Sequence, residues 1–220
     1  MPRRYNSKET IELILAASMK LFSEKGFDKT SMQEIVDESG VSKGSIFHHF
    51  KSKEEILTTA IVNQAKAHEQ ILCQWLNGLD GMTGKEKMAT LIDRLFEDVE
   101  TDKTTERFGE QVFKSPQMIL AIMQESLKIA APIYAKILKE GIEDGSITVA
   151  LPDECAEAFS LLINFWCDAT IFQSSAEHVS KRLMFVQQMM RALGADVISD
   201  QHISQFIKLY GGLQNELNSK

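Results

Sequence analysis

The chain has 220 residues, 44% of them hydrophobic and 25% charged, with three cysteines and a formal net charge of −7. That length fills one large domain or two small ones and is enough to bury a core, while the acidic balance excludes a generic nucleic-acid coat. Cys73, Cys155 and Cys167 are odd in number and far apart, which excludes a disulfide framework and fits reduced thiols of a cytosol. The opening MPRRYNSKET is basic, but it runs into a helix interrupted by Glu12 and Lys20, so it does not read as a secretory signal. The most apolar stretch, residues 158–172, carries Asn164 and Asp168 and is shorter than a membrane span, so no membrane partner is expected. The charge is also uneven. Residues 1–55 hold nine Lys/Arg against nine Asp/Glu, and residues 56–220 hold fifteen against twenty-two.

In chain order the pattern is helical almost throughout. Ile11, Ile14, Leu15, Ser18, Leu21 and Phe22 recur at the spacing of one helix face, and Gly26 stops that helix. Thr30 with Gln33, or Ser31 with Glu34, fits a capping box that opens a second helix, which Gly40 ends. Ser42 opens a third short helix, and Ser52 with Glu55 opens a fourth that runs through Ile56, Leu57, Ile61 and Leu72 to Trp75. Further helices are expected near 83–100, 105–113, 116–143, 153–173, 177–193 and 201–217, with Pro132 kinking or splitting the third of these. SITVAL, residues 146–151, is the only strand candidate and is too short to matter alone.

Two short helices joined by a glycine turn, with a first helix behind them, describe a helix-turn-helix unit whose second helix enters the DNA major groove. Here that helix is SKGSIFHHF, with Val41, Ile46 and Phe50 turned toward Ile35 and Val36. Ser42, Lys43, Ser45, His48 and His49 are left outward, and Gly44 permits a close backbone approach. His48 and His49 have three readings: donors facing DNA, half-buried surface residues without a ligand, or metal ligands. The last is the weakest, because adjacent helical positions diverge by about 100° and no third ligand lies close in sequence.

The stretch TSMQEIVDESGVSKGSIFHHFKSKEEIL resembles the helix-turn-helix signature of the TetR family of bacterial transcriptional repressors. The resemblance covers about residues 8–60 and rests on Thr30, Ile35, Gly40-Val41-Ser42, Gly44, the pair at 47 and 48, His49-Phe50, Lys53 and Leu57. It implies that Thr30 or Ser31 contacts phosphate, and that Ser42, Lys43, Gly44 and Ser45 present the reading helix, with Lys43 reaching a guanine edge. It also implies that His49 hydrogen-bonds phosphate and that Lys53 holds it by charge. Family members usually carry tyrosine where this chain has Phe47; the ring is kept, the phosphate-binding hydroxyl is lost, and His48 stands next to it as a possible replacement donor.

The fold class is therefore all-α. A three-helix DNA-binding domain occupies residues 1–51 and a larger helical domain residues 52–220, with the fourth helix, about 53–77, connecting the two. The resemblance gives the larger domain two roles, dimerisation and small-molecule binding. Candidate pocket residues are Trp75, Met88, Phe96, Phe108, Phe113, Met118, Met123, Tyr134, Cys167 and Asp168, which suit a largely apolar effector. Candidate interface stripes are Phe159, Leu162, Ile163 and Trp166, and Phe185, Met189 and Leu193. The interface stripes read equally as plain core, and aromatic and Met stripes like the pocket set are more often core than pocket.

No phosphate loop, nucleophile with a base, or metal cluster is visible, so no enzyme, cofactor or metal is expected. The reading is a cytoplasmic homodimeric regulator that binds an inverted-repeat operator on double-stranded DNA, most simply as a repressor released by an unknown small effector. An effector-independent regulator or an activator of the same fold is the alternative.

Overall fold

A computed structural model describes residues 6–101, 116–172 and 174–217. Among these residues every regular element is helical. The elements are α1 (Ser7–Lys25), α2 (Met32–Ser39), α3 (Lys43–His49), α4 (Lys53–Leu76), α5 (Gly84–Thr101), α6 (Pro116–Glu125), α7 (Ala131–Glu143), α8 (Pro152–Leu161), α9 (Ala169–Phe172), α10 (Ala176–Ala192) and α11 (Asp200–Leu217). The expected helix at 105–113, with Phe108 and Phe113, lies outside the described residues, as does the side chain of Phe96.

The described residues fall into two compact units, 6–67 with 116–122, and 68–101 with 123–217. The division passes through α4 and α6. In the first unit, Ile14, Leu21 and Phe22 of α1, Ile35 of α2, Val41, Ile46 and Phe50 around α3, and Ile56, Leu57 and Ile61 of α4 form one apolar core. Met118 of α6, 1% exposed, belongs to the same core, which corrects its reading as a pocket residue. Burying such a side chain is worth about 1.5–3 kcal/mol, so α6 is an energetic part of this unit.

Local chemistry sets the helix ends. Asn6 and Glu9 form a capping box on α1, and Ser31 and Glu34 form one on α2, which decides between the two boxes the sequence allowed. Gly40 ends α2 in the left-handed region at φ 64°, where a side chain would be strained. Ser42 caps α3 by accepting the Ser45 amide at 3.2 Å.

The second unit packs α5, α7, α8, α10 and α11 around Met88, Leu91, Leu138, Phe159, Val179 and Leu183. Two helical runs contain a wide turn. A π turn, Ser126–Ala130, joins α6 to α7 immediately before Pro132, which has no N–H for a partner four residues back. A second π turn, Leu162–Trp166, follows α8, and the Cys167 amide donates to the Leu162 carbonyl at 2.9 Å. Residues 146–151 form no strand; Ile147 and Val149 drop into the core, and Thr148 donates its amide to the Gly194 carbonyl at 3.0 Å.

The run Pro116–Glu143 has the length and hydropathy of a membrane span. It buries Met118 in one core and Ile133, Tyr134, Ile137 and Leu138 in the other.

The start of α5 lies against α7, where Gly84 meets the backbone of Gly141 and the carbonyl of Ile137. A methyl group on Gly84 has no flexible neighbour to displace. Gly84→Ala is expected to cost about 1–3 kcal/mol by overpacking, read as a lower urea midpoint at unchanged slope.

Candidate nucleic-acid interface and effector body

The reading helix stands on the apolar pegs beneath it. Ile46 is fully buried, with Val41 and Phe50 beside it, so the opposite face of α3 points to solvent. Ser42, Lys43, Gly44, Phe47 and His48 are exposed, and Ser45 and His49 are half-buried. No side chain crowds Gly44. The Lys43 ammonium lies 6.0 Å from the centre of the Phe47 ring, which is 44% exposed for an apolar side chain. His48 and His49 meet edge to face, with ring centres 5.1 Å apart. Among the described residues no three His, Cys, Asp or Glu side chains converge as metal ligands.

Not every lysine in this unit is free. Lys20 pairs with Glu38 at 2.7 Å and Lys25 with Glu34 at 2.6 Å. Lys29, Lys43 and Lys51 are exposed and have no ion pair or side-chain hydrogen bond among the described residues. Lys29 and Lys51 were not singled out from the sequence. They carry no motif, and they are distinguished only by the pairing of their neighbours.

Two expected DNA contacts are corrected. Thr30 is 2% exposed and turns its hydroxyl inward, donating to the Gly26 carbonyl at 2.9 Å and the Leu21 carbonyl at 3.4 Å. The exposed residue at that helix start is Ser31, whose hydroxyl is engaged with Glu34. Lys53 does not extend toward solvent. Its ammonium donates to the carbonyls of Phe27 at 2.8 Å, Asp28 at 3.3 Å and Thr30 at 3.1 Å, and it lies 4.5 Å from the centre of the Phe27 ring. An ammonium has three donors, and all three are used here. Near the start of α4 the Glu55 amide donates to the Ser52 hydroxyl, and the Glu55 carboxylate accepts the Lys51 amide at 2.7 Å. Lys53 is thus a clamp between α4 and the loop that leads into α2.

In the second unit the expected pocket residues disperse. Met88 is fully buried and Cys167 is 1% exposed, with burial pushing its thiol up to about 12. Tyr134 is 3% exposed and packs edge to face on Phe159 at 5.3 Å. Trp75 is half-buried beneath the Arg94 guanidinium at 4.8 Å, and Met123 is half-buried. Asp168 is half-buried and accepts the Ile171 amide at 3.1 Å, capping α9. Its carboxylate is therefore spent on a helix start.

The expected interface residues divide as well. Phe159 is fully buried and belongs to the core, a correction, because its helix face is the one that meets α7. Leu162, Ile163, Trp166 and Met189 pack partly against that core, whereas Phe185 and Leu193 are about half exposed. Phe185 meets Trp166 edge to face at 5.7 Å, and exposed Phe172 and Met184 are also present in this unit. The Arg182 guanidinium lies 5.4 Å from the Trp166 ring centre and 4.9 Å from that of Phe172.

Three side chains the sequence reading passed over come together near the π turns. The Ser126 and Ser160 hydroxyls are 2.7 Å apart, and the Asn164 amide nitrogen is 3.4 Å from each. The signal lay in the apolar run 158–172, where Ser160 and Asn164 are polar residues four apart on one helix face.

A short helix with an exposed polar face, pinned by a glycine turn to a helix behind it, defines a protein of the helix-turn-helix DNA-reading class. Residues 14–60 match the bacterial regulatory proteins of the tetR family, and residues 97–189 match a tetracyclin repressor-like C-terminal domain. The chain belongs to the TetR family, whose members are transcriptional regulators and not enzymes. It is 37% identical over 102 residues to the uncharacterized HTH-type transcriptional regulator YerO of Bacillus subtilis, covering 43% of this chain and only 33% of that protein. It is 24% identical over 190 residues to the HTH-type transcriptional regulator UidR of Escherichia coli K12, covering 82% and 89%. Among solved structures it shares the fold of RolR in complex with resorcinol, at 20% identity, TM-score 0.62 and coverage of 91% and 94%. It also shares that of FadR from Bacillus subtilis in complex with stearoyl-CoA, at 21% identity, TM-score 0.56 and coverage of 91% and 98%.

If Lys53 is a clamp, Lys53→Met weakens binding to duplex DNA and lowers stability, yet leaves the slope of log affinity against log salt unchanged. Lys43→Met, which removes a free ammonium, lowers that slope by about 0.9. Fluorescence anisotropy at several salt concentrations separates the two. Glu34 supplies a second check. Its carboxyl is held down at about 2, first by the hydrogen bond from Lys25 and then by the Ser31 amide and hydroxyl. A depressed carboxyl stabilises the fold above its ordinary value of 4.5 and ceases to as pH falls toward 2. The stability gap between wild type and Glu34→Gln is therefore expected at pH 7 and should close between about pH 4.5 and 2 in urea titrations.

Proposed function

We propose that the chain is a homodimeric repressor that binds an inverted-repeat operator in the bacterial cytosol and is released by a small effector held in its second unit. The observation that carries this reading is the exposed face of α3, where Lys43, Gly44, Phe47 and His48 stand clear of the protein over a fully buried Ile46. Lys43 reads a base edge, Ser42 and Ser45 present the helix, and His49 donates to phosphate. The uncommitted ammonium groups of Lys29 and Lys51 add phosphate contacts.

One short helix reads only a few base pairs, so discrimination calls for a second copy related by a two-fold axis. The exposed Phe172, Met184, Phe185 and Leu193, flanked by Trp166 and Met189, supply an apolar face for it. Exposed aromatic groups of this kind are an ordinary signature of association surfaces. RolR and FadR, which share this fold, have been solved with resorcinol and stearoyl-CoA. These complexes support a ligand role for the second unit without naming the ligand of this chain. An effector that binds the released state a hundredfold more tightly supplies about 2.7 kcal/mol of coupling.

The test is selection of bound sequences from random duplex DNA by the purified protein. Enrichment of an inverted repeat with half-sites about one helical turn apart is expected. Absence of enrichment after unfolding and refolding, which strips any bound ligand, refutes a sequence reader. For the dimer, Phe185→Glu is expected to sediment as a monomer and to lose most of its operator affinity at nanomolar protein. A wild-type monomer with full operator affinity would refute the proposed assembly.

A further inference from the structure

We infer that the polar end of the effector is held where Ser126, Ser160, Asn164 and Tyr134 meet between the two π turns, and that the effector is uncharged and carries a hydroxyl or amide. This rests on the ligand-responsive reading above and names the chemistry of its site.

The cluster is graded from buried to open. Ser160 is fully buried, Tyr134 is 3% exposed, Ser126 is half-buried and Asn164 is exposed. Beneath Asn164 the two serine hydroxyls bond each other at 2.7 Å. The Asn164 amide nitrogen reaches both serines, at 3.4 Å each, and the buried Tyr134 lies beside it. Bonds of this length, 3.4 Å, are weak and exchangeable. Asn164 is exposed, and neither of its bonds to the serines uses its carbonyl oxygen, which faces solvent. What is offered is a solvent-accessible acceptor above hydroxyls with spare lone pairs and rotatable hydrogens. A ligand hydroxyl or amide donates to the Asn164 oxygen and accepts from a serine or tyrosine O–H, using both.

The backbone gives a second, independent indication. π turns are rare, occur mostly as single-turn bulges inside α-helices, and are frequent at functional sites. The turn at Ser126–Ala130 is accounted for by Pro132, but Leu162–Trp166 has no proline to require it. The proline-free turn is the one that carries Asn164.

Charge decides the ligand class. Burial raises the Tyr134 phenol to about 12, against the opposing hydrogen bond with Asn164, so it stays neutral. The adjacent carboxylate, Glu125, is already paired with Lys128 at 2.8 Å. An ionised ligand group pressed against the buried Ser160 and Tyr134 would lose its water there with no free counter-charge beside it. The Tyr134 and Phe159 rings, edge to face at 5.3 Å, supply an aromatic wall beside the polar floor.

The test uses the full chain bound to its selected operator, with benzamide and benzyl alcohol as uncharged probes and benzoate as the charged match. Both uncharged probes are expected to shift the Asn164 side-chain amide signal in a nitrogen-15 spectrum and to release operator, whereas benzoate does neither. Ser160→Ala and Asn164→Ala, checked for an unchanged melting temperature and unchanged ligand-free operator affinity, are expected to weaken probe binding about tenfold. Benzoate acting as well as benzamide, or either variant binding the probes like wild type, overturns the inference. Should the probes release operator equally from wild type and both variants, ligand response stands and this site falls. Should operator bind but none of the three probes act on it, both fall.

Discussion

One ammonium fastens the reading head. Lys53 spends its three hydrogens on the carbonyls that close the loop between α1 and α2, and it rests on the ring of Phe27. Those carbonyls lie past the end of α1 and before the start of α2, where helical partners are absent, and the Phe27 carbonyl also accepts the Thr30 amide at 3.2 Å. Satisfying them from the first turn of α4 sets where α2 begins, and α2 sets α3 through Ile35, Val41 and Ile46. The exposed face of α3 is thus positioned from behind, by a residue whose ammonium is bound to backbone carbonyls.

Much of this was legible in the sequence, for a definite reason. The ends of α1, α2 and α3 are written in local chemistry, Asn, Ser and Gly at fixed offsets from an apolar face, and capping depends on neighbours within three residues. The outward set on α3 follows from helical period alone. Lys53 and Thr30 were misread because their partners, carbonyls up to 26 residues away, leave no trace in side-chain pattern. A lysine clamped to backbone and a lysine reaching for phosphate are spelled alike.

The second unit was harder to read, and its errors have a common cause. Phe159, Met88 and Met118 sit on apolar stripes that say buried without saying against what. Met118 proved to belong to the other core altogether. The polar group at Ser126, Ser160 and Asn164 joins residues up to 38 apart and depends on two departures from the 3.6-residue period, which a regular helical wheel does not place.

Met118 also bears on synthesis. The family pattern ends at residue 60, yet the first unit completes its core with an element more than fifty residues downstream. As the chain leaves the ribosome, the head has its own helices in hand long before the methionine that closes them. Until then it carries an apolar opening where α6 will lie, a surface a chaperone can recognise. A graft that transplants residues 1–60 onto another body would inherit that opening permanently, unless the new body supplied a side chain of like volume.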